Sequence, residues 1–192
     1  YQNYQDYLDD DQLEPEKNYR LLSNGEVIEM AGEDDGNLRF ASLLFAILVK
    51  TQGFEVAELV RLGNKEMQVS PVGDKCVNRK PDLLVLQPEH LQIAKQALLL
   101  GMAPPRFVAE VVSPGGASSD NYLRDYVWKR EQYQDWQIPE YWIIDPHRKQ
   151  VTVLTLEEKI YQSVIYRDEM TITSNVLPSL KITPVQLFAG DI

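Results

Sequence analysis

Glu110 is the single acid in the apolar segment 107–112, whose length and composition are typical of a buried strand. Side chains alternate between the two faces of a strand, so Glu110 shares a face with Val108 and Val112. A carboxylate on such a face is costly unless a metal ion, a cation or hydrogen-bond donors compensate its charge. Glu110 is therefore a candidate site residue; in the alternative interpretation it caps the turn that begins at Ser113.

Lys129 interrupts an aromatic stripe on the predicted helix that starts after Ser118 or Ser119. The offsets of four, three, four and three residues place the whole stripe on one helical face: Tyr122, Tyr126, Lys129, Tyr133 and Trp136. Two interpretations remain for the lysine. Its ammonium reaches water from the margin of the stripe, or it points towards the sheet and meets a buried carboxylate, for which Asp82 and Glu110 are the nearest candidates along the chain.

Asp82 stands at the entrance of a second predicted strand. The four apolar residues 83–86 are bounded by Pro81 and Pro88, which is typical of a strand covered on both faces. An aspartate after proline often does no more than form a turn. Two acids at adjacent strand ends and one lysine can, however, hold a divalent ion, a water molecule and a phosphoryl oxygen. The lysine can position or deprotonate that water, or stabilise developing negative charge.

The composition restricts both the metal and the partners. One cysteine, Cys76, and two histidines, His90 and His147, exclude an internal disulfide and a cysteine-based zinc site. A metal would therefore be held by oxygen ligands, which suit Mg²⁺. The net charge of −10 argues against broad, non-specific affinity for DNA but permits a local basic cleft. No apolar run approaches the roughly 18 residues of a membrane span. Acids stand where a signal peptide would be basic, so a cytoplasmic location is expected.

Periodicity and turn residues predict the other elements. Asn24-Gly25 between two strand-like runs predicts a hairpin, and apolar residues three and four apart from Asn37 onwards predict a helix that ends at Gly53. The same patterns predict strands at 54–61, 66–69, 141–145, 151–156, 160–166 and 170–173, and a helix at 91–98. The 192 residues are then expected to form one domain of the α/β or α+β class. Its mixed central sheet would be flanked by helices and end in antiparallel C-terminal strands.

Several motifs stand in the order known from one family of proteins: Lys80-Pro81-Asp82, Glu110-Val111-Val112-Ser113-Pro114, Arg124-Asp125-Tyr126 with Lys129-Arg130 and Tyr133, and Ile138 to Pro146. On these motifs the chain resembles the Uma-two-type endonucleases, which belong to the PD-(D/E)XK, restriction-endonuclease-like superfamily. The resemblance covers nearly the whole chain. It implies a restriction-endonuclease-like mixed sheet flanked by helices, and Mg²⁺-dependent hydrolysis of DNA phosphodiester bonds.

The resemblance also implies roles for individual residues. Asp82 and Glu110 resemble the metal-binding carboxylates, and the backbone carbonyl of Val111 would be a further ligand of Mg²⁺, with Mn²⁺ as a substitute. The superfamily's lysine usually lies two residues after the second acid, where this chain has Val112. The resemblance assigns that role to Lys129 on the following helix. DNA is the implied substrate, and a homodimer is implied because two strands need two cuts.

Two departures from the family leave other functions open. Many relatives have an acid at the position of Arg20 and a histidine at that of Asn37, and either change could weaken metal binding. One alternative is a catalytically weakened or inactive nuclease fold that serves as a binding or assembly module. Another is a phosphohydrolase for a small nucleotide, because such a substrate needs no long basic groove. Arg130 and Gln132, near Lys129, are further candidates for phosphate contacts.

Overall fold

A computed structural model describes residues 1–14, 17–30 and 35–190, and for residue 35 the backbone alone. The described helices are α1 (Tyr4–Leu8), α2 (Asp35–Gln52), α3 (Val56–Leu59), α4 (His90–Ile93), α5 (Asp120–Leu123), α6 (Lys129–Asp135) and α7 (Pro184–Ala189), and a π-helical segment (Arg124–Trp128) joins α5 to α6. The described strands are β1 (Asn18–Leu21), β2 (Val27–Met30), β3 (Val60–Arg61), β4 (Glu66–Gln68), β5 (Asn78–Arg79), β6 (Leu83–Val85), β7 (Ala97–Leu98), β8 (Phe107–Val111), β9 (Glu140–Asp145), β10 (Gln150–Glu157) and β11 (Ile160–Arg167). None of these helices has the length and apolar character that crossing a membrane requires.

Within the described residues, six strands form the central sheet in the order β11-β10-β9-β8-β6-β3. β8 and β9 are parallel, with Val108 opposite Tyr141, and the other neighbours in this sheet are antiparallel. A parallel pair needs a long crossover, and here the crossover contains α5 and α6. The three C-terminal strands follow one another through short turns and are antiparallel. The predicted fold class, a mixed central sheet flanked by helices, is confirmed.

Different helices cover the two faces of β8. One core combines three of its side chains with α2: Phe107, Ala109, Val111, Leu44 and Leu48. The second core combines the alternate side chains with α6: Val108, Val112 and Tyr133. The predicted alternation along the strand is confirmed. Because period two puts Glu110 with Val108, its carboxylate lies on the α6 side of the sheet.

Local signals set the ends of the helices that flank the sheet. α2 is followed by Gly53, whose φ of +92° is left-handed and costs glycine little. α5 begins after Ser119, whose side chain accepts a hydrogen bond from the backbone N–H of Tyr122. Both boundaries agree with the prediction from the sequence.

Three local predictions are wrong. The segment 54–61 forms turns and α3, and in the described chain just Val60 and Arg61 of this segment pair with the sheet. Phe54 is 81% exposed, whereas Val56, Leu59 and Val60 pack against the core at the three- and four-residue spacing of a helix rather than the alternation of a strand. Residues 91–98 contribute to the short α4 and to β7, and residues 170–173 contribute a single bridge from Ile172 to Ile182. In each case packing against neighbouring elements overrides a short local pattern.

The predicted hairpin, β1 and β2, docks on a small sheet made of β5, β4 and β7. Asn78 of β5 makes the contact: its side-chain oxygen accepts from the Leu21 N–H at 2.8 Å, and its amide donates to the Tyr19 carbonyl at 3.2 Å. This docking sets β1 beside β5. Arg20 of β1 and Arg79 of β5 consequently line the same cavity at the edge of the central sheet.

Candidate active site

Asp82 and Glu110 lie side by side where β6 begins and β8 ends, at one end of the strands of the central sheet. β6 and β8 are antiparallel with Leu83 opposite Ala109, so the residue before β6 faces the penultimate residue of β8. The backbone N–H of Val111 donates to Asp82 Oδ2 at 2.6 Å, and the backbone N–H of Asp82 lies 3.4 Å from Glu110 Oε2. Each carboxylate is thus anchored to the backbone of the other's strand.

Lys129 points towards the sheet and meets two buried carboxylates. Its Nζ lies 2.9 Å from Glu110 Oε2 and 2.7 Å from Asp125 Oδ1. Lys129 is 9% exposed, Glu110 1% and Asp125 0%, so the ammonium does not reach bulk water from the margin of the stripe. Removing one member of such a buried ion pair typically costs about 3–5 kcal/mol, because the charge left behind has no partner.

The π-helical segment places these groups. The N–H of Lys129 bonds to the carbonyl of Arg124, five residues earlier, so this turn is one residue wider than an α-helical turn. Asp125 and Lys129 both face the sheet across that turn. The sequence predicts a regular helix here, and the wide turn is a feature it did not indicate. Single π turns inside α-helices occur frequently at functional sites.

Tyr133 holds the second oxygen of Glu110. Its hydroxyl donates to Glu110 Oε1 at 2.5 Å, from a ring that is completely buried. Burial, followed by the negative charge of Glu110, raises the pKa of Tyr133 well above its ordinary value, so the phenol remains a proton donor at neutral pH. Lys129 and Tyr133 together fix the orientation of the Glu110 carboxylate.

The carbonyl of Val111, a predicted metal ligand, lies beside the start of α2. Asn37 directs its amide nitrogen to this carbonyl at 3.5 Å and to the Ser113 hydroxyl at 3.3 Å. Arg124 donates to the same hydroxyl at 3.3 Å. Burial opposes the charge of Arg124, but the carboxylates of Asp125, Glu110 and Asp82 outweigh it and raise the pKa of the guanidinium. Asn37, one of the two departures from the family, thus lies within the site.

Asp82, Glu110 and Lys129 line a cavity of about 540 Å³ whose charge differs from that of the whole protein. Its basic residues are Arg20, Lys75, Arg79, Lys80, Arg124 and Lys129. Its acidic residues are Asp74, Asp82, Glu110 and Asp120. Although the chain has a net charge of −10, cations outnumber acids among the described residues that line the cavity, which favours an anionic ligand in this place.

The donor chemistry of the cavity fits a hard divalent ion. Two carboxylates, on Asp82 and Glu110, and the Val111 carbonyl lie at one sheet edge. Among the described residues no group of three His, Cys, Asp or Glu side chains could hold a metal ion. Mg²⁺ commonly uses one or two carboxylates and takes its other ligands from water and phosphate.

Sequence reasoning missed several members of this site. Asp125 carried one usable signal, since it stands four residues before Lys129 and can pair with it on a helix. The position of Arg79 depends on a distant contact, because its Nε donates to Gln132 Oε1 at 2.8 Å. Gln132 itself is fully buried and its amide donates to the Ser70 and Cys76 carbonyls. The sequence suggested Gln132 as a phosphate contact, but these hydrogen bonds already occupy its amide group.

Comparison with solved structures shows the same fold elsewhere. The chain is similar to a crystal structure described as "a putative nuclease belonging to DUF820 from Anabaena variabilis ATCC 29413". The TM-score is 0.60 and the identity 14%, over 90% of this chain and 90% of that chain. A search of the curated proteins finds no match. The chain therefore shares its α+β fold, a mixed sheet flanked by helices, with that structure.

The family is shown by a match along almost the full sequence. The model of the Uma2 family, described as "Putative restriction endonuclease", matches residues 2–185. The protein belongs to this family, and the resemblance inferred from the motifs around Asp82, Glu110 and Lys129 is confirmed.

Proposed function

We propose that the protein is a Mg²⁺-dependent endonuclease, able to use Mn²⁺, that hydrolyses phosphodiester bonds in DNA. The observation that carries the proposal is the convergence of Asp82, Glu110 and Lys129 on one wall of a cavity that is basic in an otherwise acidic protein. Family membership supports a nuclease, and the cavity supports a polyanionic substrate.

In this proposal Asp82, Glu110 and the Val111 carbonyl hold the ion, which when bound would polarise the scissile phosphate. Lys129 has three N–H donors, of which two go to Glu110 and Asp125. The third donates to the attacking water or to a phosphate oxygen and stabilises the charge that develops there. Pairing with two carboxylates keeps the ammonium in place.

Two substitutions test the assignment, one that preserves the shape of the side chain and one that preserves its charge. Asp82→Asn and Lys129→Arg should lower cleavage of supercoiled plasmid in Mg²⁺ or Mn²⁺ by about 100-fold or more, because correctly placed acid–base and charged groups contribute at least that much. The matched controls are Asp11→Asn and Lys181→Arg, which change exposed residues of the same types. If the two site variants cut as well as the controls, the assignment is wrong.

A specific observation favours a second candidate, a nuclease fold that serves as a binding or assembly module without cleavage. Both oxygens of Glu110 already accept from Lys129 and Tyr133, and Arg20 adds a positive charge to the cavity. Both features compete with a cation. Calorimetric titration with Mn²⁺ separates the two candidates: binding that Asp82→Asn abolishes supports the nuclease, and no binding heat supports the module.

The substrate and the assembly state need their own measurements. Free nucleotides tested beside plasmid distinguish a small-molecule phosphohydrolase from an endonuclease, since the former would hydrolyse the nucleotides and leave the plasmid intact. We also propose a homodimer, because cutting both strands needs two sites. Light scattering of the protein as it elutes from a size-exclusion column should give twice the chain mass of 22.1 kDa. A monomer that still linearises plasmid would contradict the homodimer.

A further inference from the structure

Two arginines in the cavity make no hydrogen bond to a carboxylate of the residues that the structure describes. Arg20 Nη1 donates to the Asn18 side chain at 2.5 Å and to the Tyr19 carbonyl at 2.9 Å. Arg79 uses Nε for Gln132 at 2.8 Å, and its buried Nη2 has no hydrogen-bond partner in the described part of the chain. Neither guanidinium forms an ion pair with any described carboxylate, although both lie in the cavity that contains Asp82 and Glu110.

This arrangement is costly for the protein alone. Arg79 is 4% exposed, and a buried donor that makes no hydrogen bond loses its interaction with water without replacement. Burial lowers the pKa of Arg20 and the positive charge of Arg79 lowers it further, against the opposing effects of Glu66, Cys76 and Glu110. Arg79 is buried and Arg20 half-buried, and an anion between two such neighbouring like charges stabilises both.

Hydrogen bonds to the protein hold both arginine side chains in place. Gln132, which orients Arg79, is itself fixed by the carbonyls of Ser70 and Cys76. Asn18 and the Tyr19 carbonyl hold one nitrogen of Arg20. The remaining N–H groups of each planar guanidinium can then approach a ligand without losing much side-chain freedom. Paired N–H donors of this kind match the oxygens of a phosphate group.

We propose that Arg20 and Arg79 form an anion subsite that binds a second phosphate group of the substrate strand, next to the phosphate that is cleaved at Asp82 and Glu110. The subsite deepens the proposed function and rests on it for the identity of the strand. The phosphate is either an internal phosphodiester or a terminal phosphate of the nucleic acid. The two sources share the same chemistry and differ in where a strand must end.

Binding in EDTA tests the subsite separately from cleavage. Single-stranded octanucleotides with a 5′-phosphate, a 3′-phosphate or neither are titrated into the protein at low salt and followed by fluorescence anisotropy. Arg20→Gln should weaken binding at least tenfold. The matched control is Arg106→Gln, which removes the same charge from an exposed residue at the opposite end of β8 and should change affinity less than twofold.

The outcomes are distinct. A terminal phosphate is the ligand if one phosphorylated strand binds at least tenfold tighter than the unmodified strand and Arg20→Gln removes that preference. An internal phosphodiester is the ligand if Arg20→Gln lowers the affinity for all three strands by the same factor. The subsite is overturned if the wild type binds none of them, if Arg20→Gln binds like the wild type, or if Arg106→Gln loses as much as Arg20→Gln.

A second measurement covers effects on folding. Inorganic phosphate should raise the midpoint of thermal unfolding of the wild type and of Arg106→Gln above the value in chloride of equal ionic strength, because a ligand that binds the folded state stabilises it. Arg20→Gln should lose this increase, and Arg20→Lys should retain part of it. An equal increase in all four proteins would overturn the subsite. If the wild type binds phosphate but does not cleave plasmid in Mg²⁺ or Mn²⁺, the nuclease proposal is refuted and the subsite is not.

Discussion

Glu110 and Glu140 are two buried glutamates in neighbouring parallel strands, and their surroundings differ completely. Glu140, at the start of β9, accepts from the indole N–H of Trp142 at 2.7 Å and from the backbone N–H of Asn175 at 2.9 Å. Glu110, near the end of β8, accepts from a cation and a phenol and lines a basic cavity. Burial of an acid therefore does not identify a site. A charged partner and an adjoining cavity are what distinguish Glu110 from Glu140.

The largest effect should come from breaking the charged cluster around Glu110. Lys129→Met should lower the free energy of unfolding by about 3–5 kcal/mol, because the buried Glu110 loses the cation at its Oε2 and Asp125 keeps, within the described chain, just the longer contact to Arg124 Nε at 3.5 Å. Urea unfolding followed by circular dichroism measures the loss. Neutralising both acids in the same variant, with Glu110→Gln and Asp125→Asn, should restore most of it. A loss below about 1 kcal/mol for Lys129→Met would show that the pair behaves like an exposed one.

Substituting each glutamate by glutamine tests the difference between them directly. Glu110→Gln should lower plasmid cleavage by about 100-fold, which corresponds to about 2.7 kcal/mol of activation free energy. Glu140→Gln should leave cleavage per folded molecule within about twofold and act on stability, since its oxygens bond to the fold itself. Equal activity of the two variants would remove the distinction drawn between the two regions.

The smallest effect concerns His90, which resembles Glu140 in bonding to the fold alone. Its Nδ1 accepts from the Gln87 N–H at 3.1 Å, and its Nε2 lies 3.0 Å from the Ala103 carbonyl. Burial lowers the pKa of His90, against a smaller opposing effect of the Ala103 carbonyl. A depressed pKa means that the unfolded chain binds the proton more readily. The contribution to stability is therefore present above about pH 6.5 and is lost as the pH falls through the lowered pKa.

Urea midpoints at pH 7.5 and pH 5 measure this contribution. His90→Gln should show a smaller decrease in stability between the two values than the wild type. His147→Gln, which changes the exposed histidine, should decrease like the wild type. The same decrease in all three proteins would show that His90 does not titrate with folding.

The sequence was sufficient for features that depend on local periodicity. Alternation along 107–112 assigns the two faces of β8. The aromatic offsets place Lys129 within the stripe, and the structure then decides that its ammonium points to the sheet and not to water. The boundaries at Ser119 and Gly53 follow from residue chemistry. Periodicity failed at 54–61, where the pattern was too short to resist the packing of neighbouring elements.

The site needed information that no local pattern contains. Which acid meets which cation depends on strand register, on the wide turn at 124–128 and on the docking of β1 beside β5. In the sequence, Glu110 and Glu140 are equivalent, because each is an acid next to an apolar run. Arg20 and Arg79 stand 59 positions apart, and no pattern relates them. Electrostatic interactions act through space over a few ångströms. Their partners are therefore set when distant segments pack together, whereas burial and alternation are already encoded in neighbouring residues.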